Sequence, residues 1–112
     1  MTSFSKTKIL TSIKSLKEIS LVLNKGVDII DFKDPSEGAL GAIPTKQIKF
    51  FLKSIPSDQL TSATIGNIED IKTIKQKVIM LSKTNVDFIK IGFFFDYTKI
   101  KILKNLKKLA KN

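Results

Sequence analysis

The sequence predicts an α/β fold made of four consecutive βα units. Four short apolar runs, over residues 8–12, 27–32, 60–65 and 86–91, are each followed by a segment whose apolar residues recur at helical spacing. Strand and helix alternating in this way favour a parallel sheet with crossover helices. The chain has 112 residues, 42% hydrophobic and 27% charged, which suits one packed core, and no Pro/Gly/Ser-rich linker divides it. Residues 1–112 are therefore read as a single domain. The pattern leaves open whether the sheet is small and open or is half of an eight-stranded βα barrel.

The first strand, Lys8 to Ser12, leads to Ser15 and Glu18, whose spacing is that of a capping box. Leu16, Ile19 and Leu23 then form a helical stripe that ends at Gly26. Val27 to Phe32 is the second strand, followed by a turn-rich loop over residues 33–42. Ile48, Phe51, Leu52 and Ile55 give the next helical face, closed by Pro56. The third strand, Leu60 to Ile65, stops at Gly66-Asn67, and Ile68, Ile71, Ile74, Val78 and Leu81 mark a long amphipathic helix. Val86 to Ile91 is the fourth strand, ending at Gly92 and the cluster Phe93-Phe94-Phe95, which reads as core. Ile100, Leu103, Leu106 and Leu109, with lysines on the other sides, form a last helix that reads as a solvated outer one.

Composition narrows the chemistry. Histidine, cysteine and tryptophan are absent, so Ser-His-Asp and Cys-His catalysis, disulfides and the usual zinc sites are excluded. Catalysis must use Lys, Asp, Glu, Tyr, Ser or Thr; no cofactor or metal is expected. The formal charge of +10 favours an anionic partner such as a phosphorylated metabolite, nucleic acid or an acidic membrane. All 20 basic residues are lysine, however, and the bidentate contacts of specific nucleic-acid recognition belong to arginine. Together with 17 isoleucines, that usage reads as AT-rich coding. No run approaches the ~20 apolar residues of a membrane span, and residues 1–13 show no secretion signal, so a cytoplasmic protein is expected.

Residues two apart on a strand share a face. By that rule Asp31 and Lys33 lie together beyond Ile29, Ser62 lies with Thr64, and Lys90 with Phe88, while Ser12 occupies the corresponding end of the first strand. Each strand thus carries a polar group near its carboxyl end, where α/β folds build their sites. Lys90 stands between Ile89 and Ile91 in a segment otherwise fit for burial, and a buried amine that loses hydration becomes neutral and nucleophilic. Lys33 has the same character, with Asp31 able to orient or pair with it. Such lysines suit Schiff-base formation with a carbonyl substrate, or removal of a proton beside one. A solvated lysine with Asp31 as its ion-pair partner, and Ser62 and Thr64 as plain strand residues, is the bland alternative. Gly38 and Gly41 match neither the P-loop nor the dinucleotide fingerprint and read as turn residues.

Three ordered segments, Asp28-Ile29-Ile30-Asp31-Phe32-Lys33-Asp34-Pro35-Ser36-Glu37-Gly38-Ala39-Leu40-Gly41-Ala42, Ser62-Ala63-Thr64-Ile65-Gly66 and Val86-Asp87-Phe88-Ile89-Lys90-Ile91-Gly92, resemble the (5-formylfuran-3-yl)methyl phosphate synthases, also called 4-(hydroxymethyl)-2-furancarboxaldehyde-phosphate synthases. The resemblance implies a βα barrel of the aldolase type, that is, a TIM (βα)8 barrel of which this chain would be the N-terminal half. It implies a lyase that condenses two molecules of glyceraldehyde 3-phosphate into the furan precursor of methanofuran. By the same resemblance Lys33 is the Schiff-base residue and Lys90 the proton acceptor, with Asp31 a supporting group near Lys33; Asp31, Ser62 and Thr64 are the candidate substrate-binding residues. The lysine- and isoleucine-rich stretch 67–85 departs from the Pro/Gly-containing loop common in the family.

A complete barrel needs roughly 250 residues. The expected partners are therefore a small phosphorylated aldehyde and either a missing C-terminal half or a second copy of the chain; a truncated copy is the favoured account. The competing readings are an inactive lysine-rich half-barrel fragment that binds anions or nucleic acid non-specifically, and an open-sheet protein that shares ancestry without the reaction.

Overall fold

The computed structural model describes residues 6–37, 41–67, 71–92 and 97–111. Strand β1 (Leu10–Ile13) is followed by α1 (Leu16–Val22), β2 (Ile29–Phe32), a 3-10 turn (Pro35–Glu37), α2 (Thr45–Leu52), β3 (Leu60–Asn67), α3 (Ile71–Ser82), β4 (Phe88–Gly92) and α4 (Tyr97–Ala110). The four strands form one parallel sheet in the order β1-β2-β3-β4. A strand order that never reverses sends every right-handed crossover to the same side. One face of the sheet therefore carries all four helices. The α/β fold with four βα units is as expected.

The helix-bearing face supplies the core. Register aligns Ile13, Phe32, Ala63 and Ile89 across the four strands. The first three are buried against Ile19 of α1, Ile48 and Phe51 of α2, Ile74, Val78 and Leu81 of α3 and Leu106 of α4. The rings of Phe32 and Phe51 meet at 5.9 Å and a tilt of 35°, joining β2 to α2. The phenylalanine cluster 93–95, Ile68 and Gly38 lie outside the described residues.

Local chemistry explains where elements stop. Ser15 caps α1: its hydroxyl accepts from the Glu18 N–H at 3.3 Å, while the Glu18 carboxylate accepts from the Lys14 N–H at 3.0 Å. The same helix ends four residues before Gly26, because Asn24 already takes a left-handed φ of 62°, which Asn tolerates better than most residues. Helix α2 begins after Pro44 and ends at Leu52, leaving Ile55 to pack beyond its last turn. At Gly66 φ is +108°, a conformation that disfavours any side chain, and the β3–β4 register shifts between Thr64 and Asn67. The lysines 101, 104, 107 and 108 of α4 are exposed, as a solvated outer helix requires. Among the described residues no helix is long and apolar enough to cross a membrane.

Candidate active site on the open sheet face

The sheet face turned away from the helices carries a polar row at its carboxyl end. Register places Ser12 beside Asp31, Asp31 beside Ser62, and Thr64 beside Lys90. Asp31 is the centre of this row and is fully buried. Its Oδ1 accepts from the Ser62 hydroxyl at 2.7 Å, and its Oδ2 accepts from Ser12 at 3.1 Å and from Thr64 at 2.9 Å. The Thr64 hydroxyl also stands 3.2 Å from Oδ1. The Lys90 ammonium lies 3.8 Å from Oδ2. A buried carboxylate must be hydrogen-bonded or paired, and here three hydroxyls from two neighbouring strands and one ammonium fulfil that need.

The sequence groups Asp31, Ser62, Thr64 and Lys90 correctly at one end of the sheet, and the structure brings them into direct contact. Two details differ. Asp31 pairs with Lys90, two strands away, rather than with the neighbouring Lys33. The Lys90 side chain is also 43% exposed, so the ammonium is not desolvated as its apolar neighbours suggested. The reason is position: β4 pairs with β3 alone among the described residues, and an edge strand leaves alternate side chains in solvent. Ser12 joins the network although its sequence context singled it out only as the end of a strand. The one signal for it was its place in the polar row.

Lys33 follows β2 directly and is half-buried. Its N–H donates to the Ile13 carbonyl at 3.1 Å, continuing the β1–β2 ladder by one residue. Lys33 lies one residue past the last β2–β3 pair, Phe32 with Ala63, while Thr64 pairs with Lys90. The loop beyond Lys33 is fixed at Asp34, whose carboxylate accepts from the Ser36 hydroxyl at 2.6 Å and the Ser36 N–H at 3.0 Å. These bonds hold the Asp34 carboxyl below its ordinary range.

A buried carboxylate surrounded by hydroxyls and an ammonium is no metal-donor set, and no group of three or more metal-ligating residues occurs among the described residues.

Comparison with known proteins identifies the family. A family model described as 4-HFC-P synthase matches residues 9–112. The chain is 32% identical to the (5-formylfuran-3-yl)methyl phosphate synthase of Methanocaldococcus jannaschii over 108 residues, covering 93% of this chain and 46% of that protein. It is 32% identical to the Methanopyrus kandleri protein of the same name over 83 residues, covering 73% and 35% respectively. With the Methanococcus maripaludis protein of that name it shares 31% over 107 residues, covering 92% and 45%. The chain thus spans less than half the length of these relatives. The family-model match over residues 9–112 and the identities of 31–32% across 73–93% of the chain place it in the 4-HFC-P synthase family.

Proposed function

We propose that the chain carries the imine-forming part of a lyase that condenses two glyceraldehyde 3-phosphate molecules into (5-formylfuran-3-yl)methyl phosphate, for methanofuran biosynthesis in the cytoplasm. The observation that carries this reading is the buried Asp31 that holds Lys90 and Thr64 at the carboxyl end of the sheet, the end at which Lys33 follows β2. The matched relatives are named for the product of this condensation.

The steps follow from the groups present. The Lys33 amine adds to the aldehyde carbon of one substrate molecule, and loss of water leaves an imine. The Lys90 ammonium gives a proton to the hydroxyl that leaves as that water, and the neutral amine so formed takes the proton from the carbon next to the imine. The resulting carbon nucleophile bonds to the aldehyde carbon of the second molecule, whose oxygen takes up a proton. Elimination of phosphate and water and closure of the ring complete the furan and free Lys33 by hydrolysis. Asp31 holds the Lys90 ammonium near the reacting carbon, and Ser62 and Thr64 complete the polar floor beneath the substrate. The amines are supplied by this half-length chain, and the remaining walls of the site come from a complementary half or a second copy, which closes an aldolase-type βα barrel.

Borohydride reduction in the presence of glyceraldehyde 3-phosphate, followed by intact mass and peptide mapping, tests the reading. One reduced adduct on Lys33, absent in Lys33→Ala, is the expected result. Adducts scattered over the exposed lysines would instead support an inactive half barrel that attracts anions through its charge of +10. In that case salt-sensitive DNA binding, unaffected by Lys33→Ala, should accompany them.

A further inference from the structure

The face that bears the site also bears an apolar strip that is left exposed among the described residues. Leu10 of β1, Leu60 of β3 and Phe88 of β4 lie on this face and are 43%, 44% and 49% exposed. Ile29 stands beside Leu10 and Leu60 in register. A cavity of about 440 Å³ opens among Ile29, Leu60 and Phe88 at the amino end of the sheet. Large side chains side by side around an open cavity signal a surface that is buried in use.

The lateral edges tell the same story. Among the described residues β1 pairs only with β2, and β4 only with β3, so each presents a row of backbone N–H and C=O groups. Apolar side chains flank both edges. Leu16 and Leu21 of α1, the helix after β1, are exposed, as is Leu103 of α4, the helix after β4. Beside β4 a second cavity, of about 400 Å³, is lined by Ile89, Ile91, Leu103 and Leu106.

We propose that this face and both edges bind a second copy of the same chain, and that the two copies close an eight-stranded parallel barrel. A two-fold axis along the strands sets β4 of each copy beside β1 of the other. One symmetric contact, made twice, then satisfies both edges and brings the two apolar strips together as the barrel filling. All strands run the same way and their order never reverses, so the second copy continues the sheet without changing its sense. Charge does not forbid the pairing. Asp31 is compensated by Lys90 within each copy, and the lysines of α4 are exposed on the outer layer. Repulsion between two chains of +10 is therefore a surface effect that salt screens. That the closed pair also completes the substrate site rests on the function proposed above; the pairing itself does not.

Sedimentation equilibrium of the 112-residue chain tests the pairing without reading activity, so its failure is distinct from failure of the imine chemistry. The expected result is a species of twice the 12.5 kDa chain mass that gains stability as salt is raised. Phe88→Asp should shift it to a monomer that keeps its far-ultraviolet helical signal, since Phe88 is half-exposed in one copy and outside its buried core. A folded wild-type monomer at tens of micromolar, a dimer indifferent to Phe88→Asp, or association that continues past two copies would each overturn the proposal. So would a monomer that forms a one-to-one complex with the unmatched portion of the Methanocaldococcus jannaschii relative, since an unlike segment would then own this face.

Discussion

The two ends of the sheet use the same side chain for opposite purposes. At the amino end, Asp28 accepts from the Ile9 N–H at 2.7 Å and Asp87 accepts from the Thr61 N–H at 2.9 Å. Each carboxylate staples the start of its own strand to the backbone of the strand before it. At the carboxyl end Asp31 is surrounded by three side-chain hydroxyls and an ammonium. A carboxylate that satisfies backbone groups holds a fold together. One that is satisfied by side chains fixes those side chains in place, as a site for chemistry requires.

The largest effect should come from the centre of the polar row. Asp31→Ala leaves Ser12, Ser62 and Thr64 without their acceptor and Lys90 without its partner. We expect a loss of about 2–4 kcal/mol in unfolding free energy by urea titration, together with at least a tenfold fall in the Lys33 adduct. Asp87→Ala removes one staple at the other end. It should cost about 1–2 kcal/mol in the same titration while leaving the adduct unchanged at equal folded fraction. If the adduct fell there too, the division between the two ends would be broken. Ser12→Ala removes one donor to Asp31 at the exposed margin of the row; about 0.5–1.5 kcal/mol and a few-fold slower trapping are expected. The smallest effect concerns the loop after Lys33. The folded-state carboxyl of Asp34 lies below its ordinary value of 3.8, so its contribution to stability is present above that value and is lost as pH falls through the folded value. Wild type should therefore be more stable than Asp34→Asn above about pH 4, and an acid titration should show that difference shrinking as pH falls below it.

Much of this was legible in the sequence, for identifiable reasons. Apolar runs and helical spacing located all four βα units, and the Ser15–Glu18 spacing located a cap that forms. Strands β1, β2 and β4 begin two residues later than their apolar runs. At the starts of β2 and β4 lie Asp28 and Asp87, whose carboxylates bond a neighbouring strand's backbone. Alternation along each strand put Asp31, Ser62, Thr64 and Lys90 on candidate faces, but contacts between strands depend on register, which no single strand reveals. Hence the Asp31–Lys90 pair and the participation of Ser12 emerged only from the fold. The exposure of Lys90 had the same origin: an apolar run reads as buried, yet β4 stands at the edge of the sheet.

The central claim is that the carboxyl end of this sheet is a site and the amino end a scaffold. The most direct measurement compares the borohydride-trapped glyceraldehyde 3-phosphate adduct on Lys33 in wild type, Asp31→Asn and Asp87→Ala, each shown to be folded by circular dichroism. The account predicts that Asp87→Ala retains the wild-type adduct and Asp31→Asn loses it. Equal adducts in all three proteins, or equal loss in both variants, would contradict it.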